Sequence, residues 1–146
     1  MSKHPLEDNI VLKTYNQWNK FGDLLQMHFS VIDKGEIAYY MTITEEHLAT
    51  PIAAHGGSLA ALMDATLGVC ALSEVCEEMK VVSTVNMNMS FLHPANLGDQ
   101  LIGRGKVVKS GKRIVFVEAQ IFNQKEQLIA TGSATMNAYP VHKLMD

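Results

Sequence analysis

The chain has 146 residues, the usual size of one domain and enough to enclose a hydrophobic core. Hydrophobic residues make up 47% of it and charged residues 18%, which is typical of a globular protein and excludes a disordered one. The net charge of -3 gives no electrostatic basis for binding nucleic acid or an anionic membrane surface. We therefore expect the partner to be a small molecule or a second copy of the chain.

The N-terminal part of the chain predicts one short helix followed by two strands. The helix covers residues 9–21, where Tyr15 and Trp18 lie near one side. The strands cover residues 24–31 and 36–44, and the turn Asp33-Lys34-Gly35 joins them, with the glycine supplying a positive φ. A helix and a β-hairpin are therefore expected before the first long loop.

A long apolar helix is predicted to begin at His55 and to end near Glu78. The apolar stretch that includes the start of this helix, residues 52–72, is long enough to span a membrane, which needs about 20 apolar residues. The stretch nevertheless contains His55, a glycine pair and Asp64, and strand-like segments surround it. Because a helix that is apolar on all sides also forms the centre of a soluble core, we interpret it as a central helix and not as a membrane span.

Four strand-like segments follow this helix, separated by short connections that contain turn residues. They cover residues 81–91, 100–109, 113–122 and 127–139. One long helix followed by an antiparallel meander is typical of the α+β class. The sequence therefore predicts a single domain over residues 1–146, with a curved antiparallel sheet of about five or six strands wrapped around one central helix.

The N-terminus and the cysteines indicate the compartment. Residues 1–8 lack the apolar run of a secretory signal, and we expect a loose tail there. Cys70 and Cys76 fall on roughly opposite sides of the central helix, so an intrachain disulfide is not expected. Free thiols fit a reducing compartment, and a cytoplasmic protein is predicted. No Cys and His residues have the spacing of zinc ligands, and no metal is expected.

Asp64 is the most informative single residue. Between Leu59 and Leu72 it is the only ionisable group apart from a thiol, and its sequence neighbours are apolar. An ionised carboxylate is costly in such surroundings unless it is paired, hydrogen-bonded or solvated. Two interpretations remain open: a structural aspartate satisfied by hydrogen bonds, and a general base or nucleophile at the foot of a pocket.

The glycine pair at the start of the helix, Gly56 and Gly57, indicates an anion-binding site. Glycine lets another group approach the backbone closely, and the free N–H groups of a first helical turn favour negative charge. Asp64 lies eight residues after Gly56, about 12 Å along one helix. Because the two cannot act on one atom within a single chain, a site that uses both needs a second subunit.

The strand after the helix also indicates assembly. Thr84, Asn86, Asn88 and Ser90 alternate with apolar residues, and this polar face carries no charge. Exposed edge strands are usually protected by Lys or Glu. The pattern is compatible both with an edge that pairs with its own copy across a two-fold axis and with an interior strand of the monomer.

A basic turn lies between the second and third of these four strands. It consists of Lys109, Ser110, Gly111, Lys112 and Arg113. Lys and Arg pair well with phosphate oxygens, so the turn is either a solvated hairpin tip or a dock for the phosphates of a nucleotide-bearing thiol. The residues alone leave both interpretations open.

Three segments together resemble the PaaI-type (phenylacetic-acid-degradation) acyl-CoA thioesterases of the hotdog-fold superfamily. They read HGGSLAALMDATLGVCAL, STVNMNMSFLHPANLGD and KVVKSGKRIVFVEAQIFNQKEQLIATGSATM. The combination of HGG followed by Asp with F-x-H-P-A-x-x-G is specific, and the likeness extends roughly from Glu36 to Met136. It implies a hydrolase of acyl- or aroyl-CoA with a hotdog fold, as a homodimer or a homotetramer. CoA would be part of the substrate, and no separate cofactor is expected.

The resemblance also implies a role for each site residue. Asp64 would act as general base or nucleophile. The Gly56 amide would polarise the thioester carbonyl, with His55 beside it, at a site shared between subunits. Thr84 would help to place the attacking water. CoA would run over Phe91 and the basic turn.

One position departs from the pattern of this family. Many relatives carry Asn or Gln about six residues before the His of HGG, whereas this chain has Ala49, followed by Thr50 and Pro51. The departure leaves a second function open, a hotdog domain that binds acyl-CoA without hydrolysing it. A dehydratase is not favoured, because those enzymes need a catalytic His paired with a carboxylate in a different motif.

The acyl group is not specified by the sequence. We expect its pocket to be lined by residues such as Leu59, Met63, Met87 and Met89. Methionine side chains adapt to many shapes, so a broad acyl preference is predicted.

Overall fold

A six-stranded antiparallel sheet wraps around one long helix in the computed structural model, which describes residues 2–145. The helices are α1 (Ile10–Trp18), α2 (Lys20–Leu24) and α3 (Gly56–Val75). The strands are β1 (His28–Asp33), β2 (Glu36–Thr42), β3 (Lys80–Phe91), β4 (Gln100–Ser110), β5 (Ile114–Phe122) and β6 (Leu128–Pro140). Short 3-10 helices cover Pro5–Asp8, Glu45–His47, Cys76–Glu78 and Val141–Met145. The predicted α+β hotdog architecture is confirmed, with six strands.

Helix α3 forms the centre of the hydrophobic core. His55 caps its start, since the imidazole Nδ1 accepts the Gly57 N–H at 2.7 Å. Leu62, Met63 and Leu67 have no exposed surface. By length and composition the segment Gly56–Glu78 could cross a membrane, but 67% of its most apolar window is buried inside the protein. The apolar sequence is therefore accounted for by the core of the fold.

Strand β4 approaches α3 closely at two glycines. A Cβ on Gly103 would overlap the Thr66 hydroxyl, and one on Gly105 would lie 3.1 Å from the Cys70 Cβ. Glycine is needed here because any side chain would push the helix away from the sheet. This contact fixes which side of α3 is turned toward β4.

Strand β3 lies at an edge of the sheet, whose order is β1-β2-β4-β5-β6-β3. The predicted meander is correct for β4, β5 and β6, which pair in chain order, but wrong for β3, which pairs with β6. The connection between β3 and β4 crosses the sheet instead of forming a hairpin, which adjacency in the sequence did not reveal. Within residues 2–145, β3 has a strand neighbour on one side only.

A β-bulge interrupts β3 at Val85. Thr84 lies opposite Met136 and Asn86 lies opposite Thr135, so Val85 has no partner on β6. Directly opposed residues of an antiparallel pair share a face of the sheet, and Met136 is buried. Thr84 therefore faces the helix, and the predicted uninterrupted alternation that grouped Thr84 with Asn86 is wrong. The bulge reverses the alternation between these two residues.

The N-terminal segment differs from the prediction in three places. Pro5–Asp8 form a 3-10 helix and not a loose tail, and the Glu7 carboxylate accepts the Val31 N–H at 3.3 Å. The predicted helix breaks at Asn19, whose side chain accepts the Gly22 N–H at 3.0 Å and starts α2. Because α2 continues to Leu24, β1 begins at His28 and not at residue 24.

Candidate active site

Asp64 and Thr84 meet where α3 passes β3. The Thr84 hydroxyl donates a hydrogen bond of 2.8 Å to Asp64 Oδ1. Thr84 reaches the carboxylate because the bulge at Val85 leaves it on the helix side of the sheet. Among the described residues, Asp64 Oδ2 accepts no hydrogen bond, so this oxygen is open to water or to a substrate.

Asp64 is exposed, although its neighbours in the sequence are apolar. Leu62, Met63 and Leu67 point into the core, whereas Asp64 lies on another side of the same helix. Successive residues of a helix are about 100° apart, so neighbours in the sequence do not share surroundings. The carboxylate is solvated and hydrogen-bonded, as an ionised base requires.

A cavity of about 450 Å³ opens beside Asp64 and Thr84. Helix α1 and the C-terminal 3-10 helix form one wall, and α3 and β3 form the other. The apolar part of the lining includes Ile10, Val11, Trp18, Leu72, Val82 and Met136. No Lys, Arg or His in the described part of the chain lines it. Its volume is within the usual range of small-molecule sites.

Tyr15 and Asn19 add a polar corner to this cavity. The Asn19 side-chain amide donates to the hydroxyls of Tyr15 and Tyr39, at 3.1 Å each. Burial raises the pKa of the Tyr15 phenol, and the negative charge of Asp64 raises this pKa further. The phenol therefore stays protonated in the working range of pH.

The four residues predicted to line the acyl pocket lie outside this cavity. Leu59 and Met63 belong to the core, with 4% and 0% of their surface exposed. Met87 and Met89 are half-buried farther along β3, beyond the bulge. The four residues do not line the cavity, because its other wall is α1, to which the sequence assigned no function.

Gly56 presents an unused N–H at the start of α3. The Gly57 N–H donates to His55 Nδ1 and the Ser58 N–H donates to the His55 carbonyl, whereas the Gly56 N–H has no acceptor within residues 2–145. The Phe91 ring lies beside it, 3.7 Å from the position of a Cβ on Gly56. A free N–H at a helix start is suited to stabilise an oxyanion.

His47 holds this helix start in place, although nothing in the sequence singled it out. Its imidazole is 1% exposed, accepts the Thr44 N–H at Nδ1 and donates from Nε2 to the Leu25 carbonyl, at 2.9 Å each. Its own carbonyl accepts the His55 N–H at 2.7 Å and the Ser58 hydroxyl at 3.1 Å. His47 lies in a loop without any motif, so no signal in the sequence identified it.

The predicted site residues form two separate groups within one chain. Asp64 contacts Thr84 in the first group. In the second group Gly56 lies beside Phe91, which was predicted to bind CoA, and His55 caps the helix. The two groups are about 12 Å apart along α3.

The two predicted CoA-binding elements lie at opposite ends of the sheet. The Lys80 ammonium donates to the Lys112 carbonyl at 3.2 Å, which places the basic turn at the first residue of β3. Phe91 is the last residue of β3, roughly 36 Å away at 3.3 Å per residue. One protomer therefore does not bring Phe91 and the basic turn to one CoA molecule.

Both cysteines are buried and free. Residues 2–145 contain no group of three or more His, Cys, Asp or Glu side chains placed to hold a metal ion.

Known proteins match this chain in sequence and in fold. The family model of the thioesterase superfamily matches residues 53–130. Acyl-coenzyme A thioesterase 13 of Homo sapiens is 30% identical over 103 residues, which cover 69% of this chain and 71% of that protein. The E. coli PaaI protein from the phenylacetic acid degradation operon has a TM-score of 0.83 at 21% identity, covering 92% of this chain and 93% of that chain. A Streptococcus mutans protein solved with acetyl-CoA has a TM-score of 0.71 at 24% identity, covering 78% and 89%.

Proposed function

This chain belongs to the thioesterase superfamily, and from that premise we propose how it hydrolyses acyl-CoA thioesters to a free acid and CoA. The observation that carries the proposal is the 2.8 Å hydrogen bond from Thr84 to Asp64 at the mouth of an apolar cavity. A carboxylate with one oxygen fixed and one oxygen open is suited to accept a proton or to attack a carbonyl.

The geometry at Asp64 favours activation of water over attack by the carboxylate itself. The Thr84 hydroxyl donates its proton to Oδ1, so its lone pairs can accept a hydrogen bond from a water that also donates to Oδ2. Water then attacks the thioester carbonyl while its proton passes to Asp64. The tetrahedral intermediate collapses to the free acid and expels the CoA thiolate. The thiolate takes up the proton that Asp64 had accepted.

The oxyanion is stabilised, in this proposal, by Gly56 of a second subunit. A two-fold axis that pairs β3 antiparallel to its own copy places the Asp64 end of one protomer opposite the Gly56 end of the other. The same axis brings the basic turn of one subunit toward Phe91 of its neighbour. Two lines of support are the 12 Å separation along α3 and the edge position of β3. We therefore propose a homodimer, alone or within a homotetramer.

The basic turn supplies the cations for CoA in this arrangement. Lys109, Lys112 and Arg113 are exposed, and in the described part of the chain none lies within salt-bridge distance of a carboxylate. Phosphate groups are the natural partners of such unpaired cations. We place the enzyme in the cytoplasm, since both of its cysteines are free.

We propose that Thr50 does not take over the role of the side-chain amide that is missing at Ala49. The Thr50 hydroxyl accepts the N–H groups of Ile52 and Ala53, at 3.3 and 2.9 Å, and so stabilises its own loop. The methyl group of Ala49 offers no hydrogen bond to a carbonyl or a water. We propose that Asp64, Thr84 and Gly56 carry the reaction without a side-chain amide.

The proposal is tested by Asp64→Asn, assayed on acetyl-, octanoyl- and phenylacetyl-CoA with a thiol-trapping reagent. Loss of the base lowers kcat by at least about 10²-fold, because asparagine accepts no proton. Glu118→Gln, which removes an exposed carboxylate of β5, is the matched control and retains the activity of the unmodified enzyme. Equal turnover by both variants contradicts the mechanism. CoA-ester binding without turnover by the unmodified protein would indicate a binding domain instead.

A further inference from the structure

Gly68 lies in the middle of α3, where glycine is unfavourable. A glycine inside a helix costs roughly 1 kcal/mol relative to alanine. At Gly103, Gly105 and Gly132 close packing accounts for the missing side chain, since a Cβ would meet Thr66, Cys70 or Met63. At Gly68 a Cβ would find no heavy atom within 4 Å outside its own helix backbone. Packing within the protomer therefore does not explain this glycine.

The space beside Gly68 is the cavity next to the proposed catalytic carboxylate. Gly68 follows Asp64 by four residues, one helical turn, so both lie on one face about 6 Å apart along the axis. Leu72, one further turn along, also lines the cavity. One wall of the cavity therefore runs along α3 from Asp64, past Gly68, to Leu72.

The chemical character of the cavity lining limits the kind of acyl group that can bind there. Ile10, Val11 and Trp18 of α1 line the same cavity as Gly68. Apart from Asp64 the lining carries no charged side chain in the described part of the chain, so an acyl group with a second carboxylate finds no cation there. An apolar medium-length chain or a phenyl ring fits the lining.

We propose that Gly68 is a specificity-determining residue, whose missing side chain admits the part of a bulky apolar acyl group that lies beyond the reacting carbonyl. The inference rests on the proposed function and adds the acyl class to it. With the thioester carbonyl at Asp64, an acyl chain that enters the cavity passes Gly68 and ends near Leu72. A side chain at position 68 would occupy the middle of that path.

The experiment compares Gly68→Ala and Gly68→Leu with the unmodified enzyme on acetyl-, butanoyl-, octanoyl- and phenylacetyl-CoA. Both replacements favour the helix, so the melting temperature of each variant is expected to be at least that of the unmodified enzyme. For Gly68→Leu, the ratio of kcat/KM for octanoyl-CoA to that for acetyl-CoA falls at least about tenfold. The phenylacetyl ratio falls likewise, and Gly68→Ala gives a smaller change in the same direction. Gln17→Leu, on an exposed position of α1 outside the cavity lining, is the matched control and keeps both ratios.

Two results would overturn the assignment while the proposed function stands. One is an unchanged octanoyl-to-acetyl ratio in a folded Gly68→Leu variant. The other is a loss of the same factor on every substrate, which would indicate a general effect and not one of acyl size. Failure of the unmodified protein to hydrolyse any member of the panel would instead remove the proposed function itself.

Discussion

In the proposed mechanism Thr84 positions Asp64 and the attacking water, and substitution at Thr84 tests this role. Thr84→Val keeps the shape of the side chain and removes the donor, and hydrogen bonds to charged groups contribute about 1.5–3 kcal/mol. We expect kcat to fall about tenfold or more with little change in KM, because the contact positions the base and does not bind the acyl group. Thr84→Ser restores the hydroxyl and should recover most of kcat. Steady-state kinetics at saturating acyl-CoA measure this, and a valine variant with full kcat would exclude the positioning role.

The thiols of Cys70 and Cys76 should not react with the reagent in a thiol-trapping assay. Burial raises the pKa of Cys70 to about 12 and also raises the pKa of Cys76. Because only the thiolate reacts, and the folded-state pKa lies above the assay range, the native protein should consume almost no reagent near pH 8. Reactivity should rise as the pH approaches the raised pKa values. Titration in denaturant should release two thiols per chain; one fast thiol in the native protein would contradict the burial of both.

At the residue scale, the chemical role of a side chain could be predicted better than its solvent exposure or its contacts. Asp64 was identified because a carboxylate is unusual in an apolar helix, and that signal needs no structure. Its exposure depends on the orientation of α3 against β4, which Gly103 and Gly105 fix through contacts distant in sequence. His47 gave no signal, because what it does depends on the backbone of three other segments.

The start of α3 permits a test that removes a single donor. Proline has no N–H and is favoured at the first helical position, which Gly56 occupies. His55, before it, has the extended backbone that a following proline requires, with φ -63° and ψ 137°. Gly56→Pro should therefore fold but lose about 10²–10³-fold in kcat, the effect of removing one oxyanion donor.

Gly56→Ala is the matched control for this substitution. It keeps the N–H, and its Cβ would lie 3.7 Å from the Phe91 ring, an ordinary contact. Its kcat should stay close to that of the unmodified enzyme. Circular dichroism and melting temperatures check that both variants are folded, and a fully active folded proline variant would exclude the Gly56 amide from the reaction.

At the scale of helices and strands, long segments with a regular pattern could be predicted from the sequence. The bulge in a strand and the break in a helix could not. The helix and the strands carry regular patterns, so their existence and approximate bounds follow from local sequence. The bulge at Val85 depends on the pairing of β3 with β6, and nothing in the alternation of β3 shows it. The break at Asn19 depends on a side chain that bonds to its own backbone, a choice that propensity leaves open.

At the scale of the whole molecule, each chain holds two separate parts of the proposed site. Asp64, Thr84 and the cavity form one part, and Gly56 with Phe91 forms the other. The proposal of a second subunit could be made from the sequence, because helix geometry alone fixes the spacing of Asp64 and Gly56. The cavity did not follow, because α1, α3, β3 and the C-terminal 3-10 helix meet only in the tertiary structure.

The proposed shared site is tested most directly by complementation between two inactive variants. Asp64→Asn and Gly56→Pro chains, carrying different affinity tags, are co-expressed, and the mixed dimers are isolated through both tags. A two-fold dimer has two sites, and in the mixed dimer one site carries both substitutions and the other carries neither. A shared site predicts about half of the unmodified kcat per dimer, although each variant alone is inactive. If each site were built from a single chain, every site of the mixed dimer would carry one substitution, and an inactive mixed dimer would therefore contradict the shared site.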